Sequence, residues 1–144
     1  MHPNCNILHL EDDENDSFLF QRALRHLRFA GTYRLVTSVD DAISYFSGAA
    51  TFSDRSQNPL PDILVADSNL GQVRSTADFL AWMDKHPHLR PPAVVMLSGA
   101  CPSELAKSNL PPGVDCLLGK GGSYDDIAAS VKEVLRYCGG GTLV

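Results

Sequence analysis

Long hydrophobic runs are missing from this 144-residue chain: the longest are about five residues, such as AVVML at 93–97. A membrane-spanning helix needs about 20, so no membrane role is expected. A basic stripe is missing too. Lys and Arg number 12 against 17 Asp and Glu, leaving a formal charge of -5, which argues against nucleic acid as the main partner. The start, MHPNCN, lacks the basic-then-apolar pattern of an export signal, and a cytoplasmic location is expected. Cysteine is sparse, at positions 5, 101, 116 and 138 with no CxxC spacing. Reduced thiols that pack as small apolar residues are the expectation. Among the histidines, His86 and His88 flank Pro87 in a helix exit and suggest no metal, while His9 reads as a core residue. Internal repeats and low-complexity segments are absent.

What is present is one domain's worth of ordinary composition, 44% hydrophobic and 20% charged, enough to bury a core. Its apolar segments alternate between two periods. NILHL (6–10) is a short apolar run that suits a strand buried on both faces. From Glu14 the spacing turns helical through Phe20, Ala23, Leu24 and Leu27, with Gly31 available to close the helix. YRLVTS (33–38) predicts a second strand and 40–46 a second helix. The segment 47–61, rich in turn formers, predicts a surface loop. DILVAD (62–67), AVVML (93–97) and VDCLL (114–118) predict three more strands. Helices are expected from Ser75, burying Phe79 and Met83 with Trp82 core or half-buried, and from Pro102, and from Ser123 with Ile127, Val131, Val134, Leu135 and Cys138 on one face. The final GGGTLV should fray.

Five strands alternating with five helices predict an α/β domain with a parallel sheet covered on both sides. Sites in such sheets form beyond the carboxyl ends of the strands. Four polar clusters fall there: Glu11–Asp13, Asp67–Asn69, Ser98–Gly99 and Gly119–Gly121. Glu11, Asp12 and Asp67 would bring carboxylates together, where like charges repel unless a cation or proton intervenes. Mg²⁺ suits such oxygen ligands and pairs with phosphoryl oxygens. Lys120 adds a positive charge and Ser98 a hydroxyl, so the set can hold an anion beside a cation, as phosphoryl transfer requires. Asp67 is the natural nucleophile. In the acidic run from 11 to 16, Asp13, Glu14 and Asp16 read as the start of a helix.

In order and spacing, ILHLEDDEND, PDILVADSNL, VVMLSG and GVDCLLGKG resemble the receiver domain of bacterial two-component response regulators, over roughly residues 5 to 137. The resemblance implies a flavodoxin-like (βα)₅ fold with a doubly wound five-stranded sheet of order 2-1-3-4-5. It implies a receiver domain over 1–138 with a tail at 139–144, and phosphorylation by the phosphohistidine of a histidine kinase or histidine phosphotransfer protein. Asp67 matches the phosphoacceptor, Asp12 the direct metal ligand, and Glu11 the acidic residue that acts through water. Asn69 would offer its backbone carbonyl to Mg²⁺. Ser98 and Lys120 match the residues that bond the phosphoryl group, with Gly99 in the small position after Ser98. Such a chain catalyses only its own phosphorylation and dephosphorylation, and signals through protein contacts. A homodimer through the face of the fourth helix, fifth strand and fifth helix is one such contact.

Three positions depart from the family pattern. Leu117 replaces the switch aromatic, Gly121 replaces the proline after the lysine and implies a more mobile loop, and GQVRSTAD replaces the usual loop after the acceptor. Two other readings therefore stand beside the first. One is a pseudo-receiver, a constitutive interaction module. The other is a Mg²⁺-dependent phosphatase of the haloacid-dehalogenase type, although those enzymes carry a second aspartate where this chain has Asn69.

Overall fold

Each apolar run becomes a strand because only a sheet covered on both faces buries a segment with no polar side. A computed structural model describes residues 5–71, 74–99 and 110–138. Its strands are β1 (Asn6–Leu10), β2 (Thr32–Val36), β3 (Ile63–Asp67), β4 (Ala93–Ser98) and β5 (Cys116–Gly119), all parallel, in the order β2-β1-β3-β4-β5. Its described helices are α1 (Glu14–His26), α2 (Val39–Ser47), α3 (Thr76–Asp84) and α4 (Tyr124–Leu135). The helix expected from Pro102, Cys101 and the 139–144 tail lie outside the described residues, so α4 is the fifth helix of the sequence reading.

Alternate strand residues feed two core layers. Leu8, Leu10, Leu64, Ala66, Val94 and Met96 pack under α2 and α3. Ile7, Ile63, Val65, Val95 and Leu97 pack under α1 and α4. The central strand β3 is buried at every position, whereas the edge strands β2 and β5 are mostly half-buried. No helix among the described residues is long and apolar enough to cross a membrane.

Three expectations need correction. Helix α1 ends at His26 rather than at Gly31. Phe29 N–H donates to Leu24 O at 3.0 Å and Arg28 N–H to Arg25 O at 3.1 Å, a Schellman closure with Arg28 in the left-handed region at φ 58°. Gly31 has a different duty: a Cβ there would lie 1.9 Å from Cys5 O. Second, Cys5 and Cys138 are not free thiols but a disulfide with Cα atoms 5.5 Å apart, while Cys116 is free. Third, the segment 47–61 is more than loop. It carries a 3₁₀ turn at Ala50–Phe52, and Arg55 donates to Tyr45 O at 2.7 Å and Phe46 O at 2.8 Å, satisfying carbonyls at the end of α2.

Candidate functional site

The polar clusters at the carboxyl ends of β1, β3, β4 and β5 meet at one edge of the sheet. Glu11 and Asp67 are nearly fully buried, at 1% and 4% exposure, and Asp12 is exposed beside them. Carboxylate oxygens of these three lie within 4.8 Å of one another. The donor set is all oxygen and hard, and it fits a small divalent cation of the Mg²⁺ or Mn²⁺ kind.

Several backbone contacts fix these groups. Asn69 N–H donates to Asp67 Oδ1 at 3.0 Å, and Gly71 N–H donates to Asp12 Oδ2 at 3.0 Å. Asp13 N–H donates to Glu11 Oε2 at 3.2 Å. The hydroxyl of Thr76, the first residue of α3 and fully buried, donates to the carbonyl of Asp67. Thr76 therefore ties the β3 end to the helix that follows it. Ser98 closes β4 and is half-buried, and its carbonyl accepts from Lys120 N–H at 2.8 Å. A Cβ on neighbouring Gly99 would meet nothing within 4 Å.

Lys120 reaches into the cluster from the end of β5. Its Nζ lies 2.7 Å from Asp16 Oδ2, 2.9 Å from Glu11 Oε1 and 3.0 Å from Asp67 Oδ2. Burial works against its charge, but the bonds to Asp16, Glu11 and Asp67 outweigh it and hold the ammonium pKa above its usual value. Burial pushes Glu11 up to about 7, reinforced by Asp67 and opposed by Lys120. Burial and the Asp67 charge thus favour the neutral form of Glu11, the direction expected where carboxylates crowd together without a cation.

The loop after Lys120 takes its path from glycine. Gly121 sits at φ +66°, and a Cβ there would fall 2.1 Å from Asp126 Cβ. Proline, locked near φ -65°, has no place in that conformation. The next turn is braced on α4, since Gly122 N–H and the Ser123 hydroxyl both donate to Asp126 Oδ2 at 3.1 Å. Leu117 is half-buried and packs against the α2–α3 core layer.

The structure thus brings Glu11, Asp12, Asp67 and Lys120 together as the sequence predicted, with Ser98 bonded through its backbone to Lys120. The contact it shows for Asn69 is through the N–H. Two residues were missed. Thr76 was not singled out, the helix being expected from Ser75, and Asp16, assigned to the start of α1, bonds Lys120.

A parallel sheet of this order with such an edge has the receiver fold. Neither a protein-family model nor a curated protein matches the sequence, so the comparison rests on solved structures. Among them is the phosphorylated cyanobacterial phytochrome response regulator RcpA, with TM-score 0.74 and 21% identity over 94% of each chain. The response regulator RPA3017 of red-light signalling in R. palustris gives 0.78 and 16% over 96% of each. The Mn²⁺-bound response regulator Rcp1 gives 0.74 and 20%, covering 97% of this chain and 99% of its own. At these identities the likeness establishes the flavodoxin-like receiver fold that the sequence motifs implied.

Proposed function

We propose that this chain is a response regulator receiver that accepts a phosphoryl group on Asp67 and signals through protein contacts. The observation that carries the reading is a buried aspartate at the end of the central strand, 3.0 Å from a lysine ammonium and clustered with two further carboxylates. An oxygen of Asp67 attacks phosphorus, and the P–N bond of a partner's phosphohistidine breaks. The electron pair stays on the imidazole nitrogen, which takes up a proton. Asn69 N–H and Lys120 hold one Asp67 oxygen each and so orient the carboxylate. Lys120 and the Ser98 hydroxyl bond the phosphoryl oxygens as they arrive. Glu11, Asp12 and Asp67, with the Asn69 carbonyl, would hold Mg²⁺, which supplies charge neutralisation when bound. The likeness to a Mn²⁺-bound and a phosphorylated response regulator supports this assignment.

The partner is a histidine kinase or a histidine phosphotransfer protein, and the chain turns over no other substrate. The test is incubation with Mg²⁺ and acetyl phosphate followed by intact-mass measurement. One phosphoryl adduct is expected, absent in Asp67→Asn. No adduct, or one that persists in that variant, leaves the constitutive pseudo-receiver as the better account. Turnover of a phosphomonoester by the purified chain would favour the phosphatase.

A further inference from the structure

The described α-helices start on a common frame, a short polar N-cap with an aspartate three residues on. In α3 the frame closes on itself: Asp78 N–H donates to the Ser75 hydroxyl, and Ser75 N–H donates back to Asp78 Oδ2 at 2.8 Å. In α4 the Asp126 carboxylate likewise turns back, accepting from the Ser123 hydroxyl and from Gly122 N–H. In α1 the pattern breaks. Asp13 caps the helix by accepting from Asp16 N–H at 2.9 Å, but the Asp13 N–H is taken by Glu11 Oε2. The Asp16 carboxylate is thereby released from the capping box. It points instead to Lys120, 104 residues away, at the shortest of the three ammonium contacts.

An ammonium has three hydrogens, and three carboxylates surround this one. A phosphoryl oxygen that Lys120 bonds displaces one of them; Asp16 alone has a full hydrogen bond to the ammonium, while Glu11 and Asp67 pair with it by charge. The natural one is Asp67, whose oxygens lose their charge on becoming an acyl phosphate. Asp16 by its hydrogen bond and Glu11 by its charge then keep the flexible lysine side chain aimed at the site while an ammonium hydrogen turns to the phosphoryl group.

We infer that Asp16 is a positioning residue for phosphoryl transfer, acting through Lys120 rather than as part of a helix cap. The inference rests on the receiver reading above. Its test compares wild type, Asp16→Asn, Lys120→Met and the double variant of the full chain, with Mg²⁺ and saturating acetyl phosphate, following adduct formation by intact mass. A second readout, needing no phosphodonor, is the ¹⁵Nζ resonance of Lys120.

Asp16→Asn should slow the saturated rate about fivefold, the size of a partly exposed ion pair converted to rate. It should add nothing in the Lys120→Met background, and it should shift or broaden the Lys120 Nζ signal. An unchanged rate, an equal loss in the Lys120→Met background, or an unmoved Nζ signal would each overturn the role. Absence of an adduct in wild type would instead remove the receiver reading and this role with it, while the Nζ signal still reports whether Asp16 holds the ammonium.

Discussion

His9 shows how a single buried residue at the foot of the site sets a pH response. It points from β1 into the layer under α1, packed at a tilt against Phe20 with 4.3 Å between ring centroids. Its Nδ1 shares a hydrogen bond with the Tyr33 hydroxyl at 2.7 Å, and its Nε2 has no partner among the described residues. Burial, and then the Lys120 charge, lower its pKa from 6.5 to about 3. The unfolded chain therefore binds a proton at this residue between about pH 3 and 6.5 that the folded chain does not. Stability from this residue is present above pH 6.5 and is lost as pH falls towards 3, by at most about 1.4 kcal/mol per pH unit. Glu11 works the other way. Its folded pKa is raised to about 7 from 4.5, so its contribution is present below pH 4.5 and lost as pH rises to 7. The two oppose each other between pH 4.5 and 6.5, and His9 is unopposed by Glu11 below that window. Urea unfolding at pH 4 and pH 7 should show a smaller acid loss in His9→Gln than in wild type. Equal losses would mean that His9 protonates freely in the fold.

At the scale of elements, what the sequence made legible was whatever a local pattern controls. Strands β1, β3 and β4 fell within one residue of the expected ranges because each is a continuous apolar run buried on both faces. Helix starts at Asp13, Ser75 and Ser123 were legible because each accepts from the N–H three residues on; Ser38 caps α2 in the same way, although YRLVTS placed it in the second strand. The end of α1 was not legible. Arginine at the left-handed position carries no sequence signal, whereas the nearby Gly31 looked like one and serves close packing instead. The contact of Asp16 with Lys120 was hidden for another reason: a local role as a first-turn acid already explained the residue, and the competing partner is distant in the chain. The α1 terminus also offers a gain. A non-glycine residue in the left-handed region costs about 1–2 kcal/mol, while glycine returns part of that through the freer unfolded chain. Arg28→Gly should raise stability by about 0.5 kcal/mol, and Arg28→Ala, which keeps the backbone strain, should not. Thermal melts of the two variants side by side decide the matter, and equal midpoints would assign Arg28 no strain.

On the scale of the whole molecule, the disulfide is the feature with the largest reach. It joins Cys5, just before β1, to Cys138, just after α4, across 133 residues of sequence. Both cysteines are buried in the layer under α1 and α4. No local pattern could have shown the pairing, because one sequence with four scattered cysteines leaves the connectivity open. A cross-link closing so long a loop removes entropy from the unfolded chain worth about 5 kcal/mol in the chain-entropy account. That is a large share of the ~5–15 kcal/mol by which a domain is stable. Cys5 stands at the amino end of β1, whereas Glu11, Asp12 and Asp67 gather at the carboxyl end, about 16 Å away along five residues of strand. The bond can therefore govern whether the chain stays folded without governing the geometry of the edge. Reduction by a phosphine, or Cys5→Ser with Cys138→Ser, should lower the urea midpoint substantially. At urea concentrations where both forms remain folded, the rate of adduct formation with Mg²⁺ and acetyl phosphate should be unchanged. An unchanged midpoint would show that the two cysteines contribute packing alone. A slowed rate in the folded reduced protein would show that the staple reaches the site through β1.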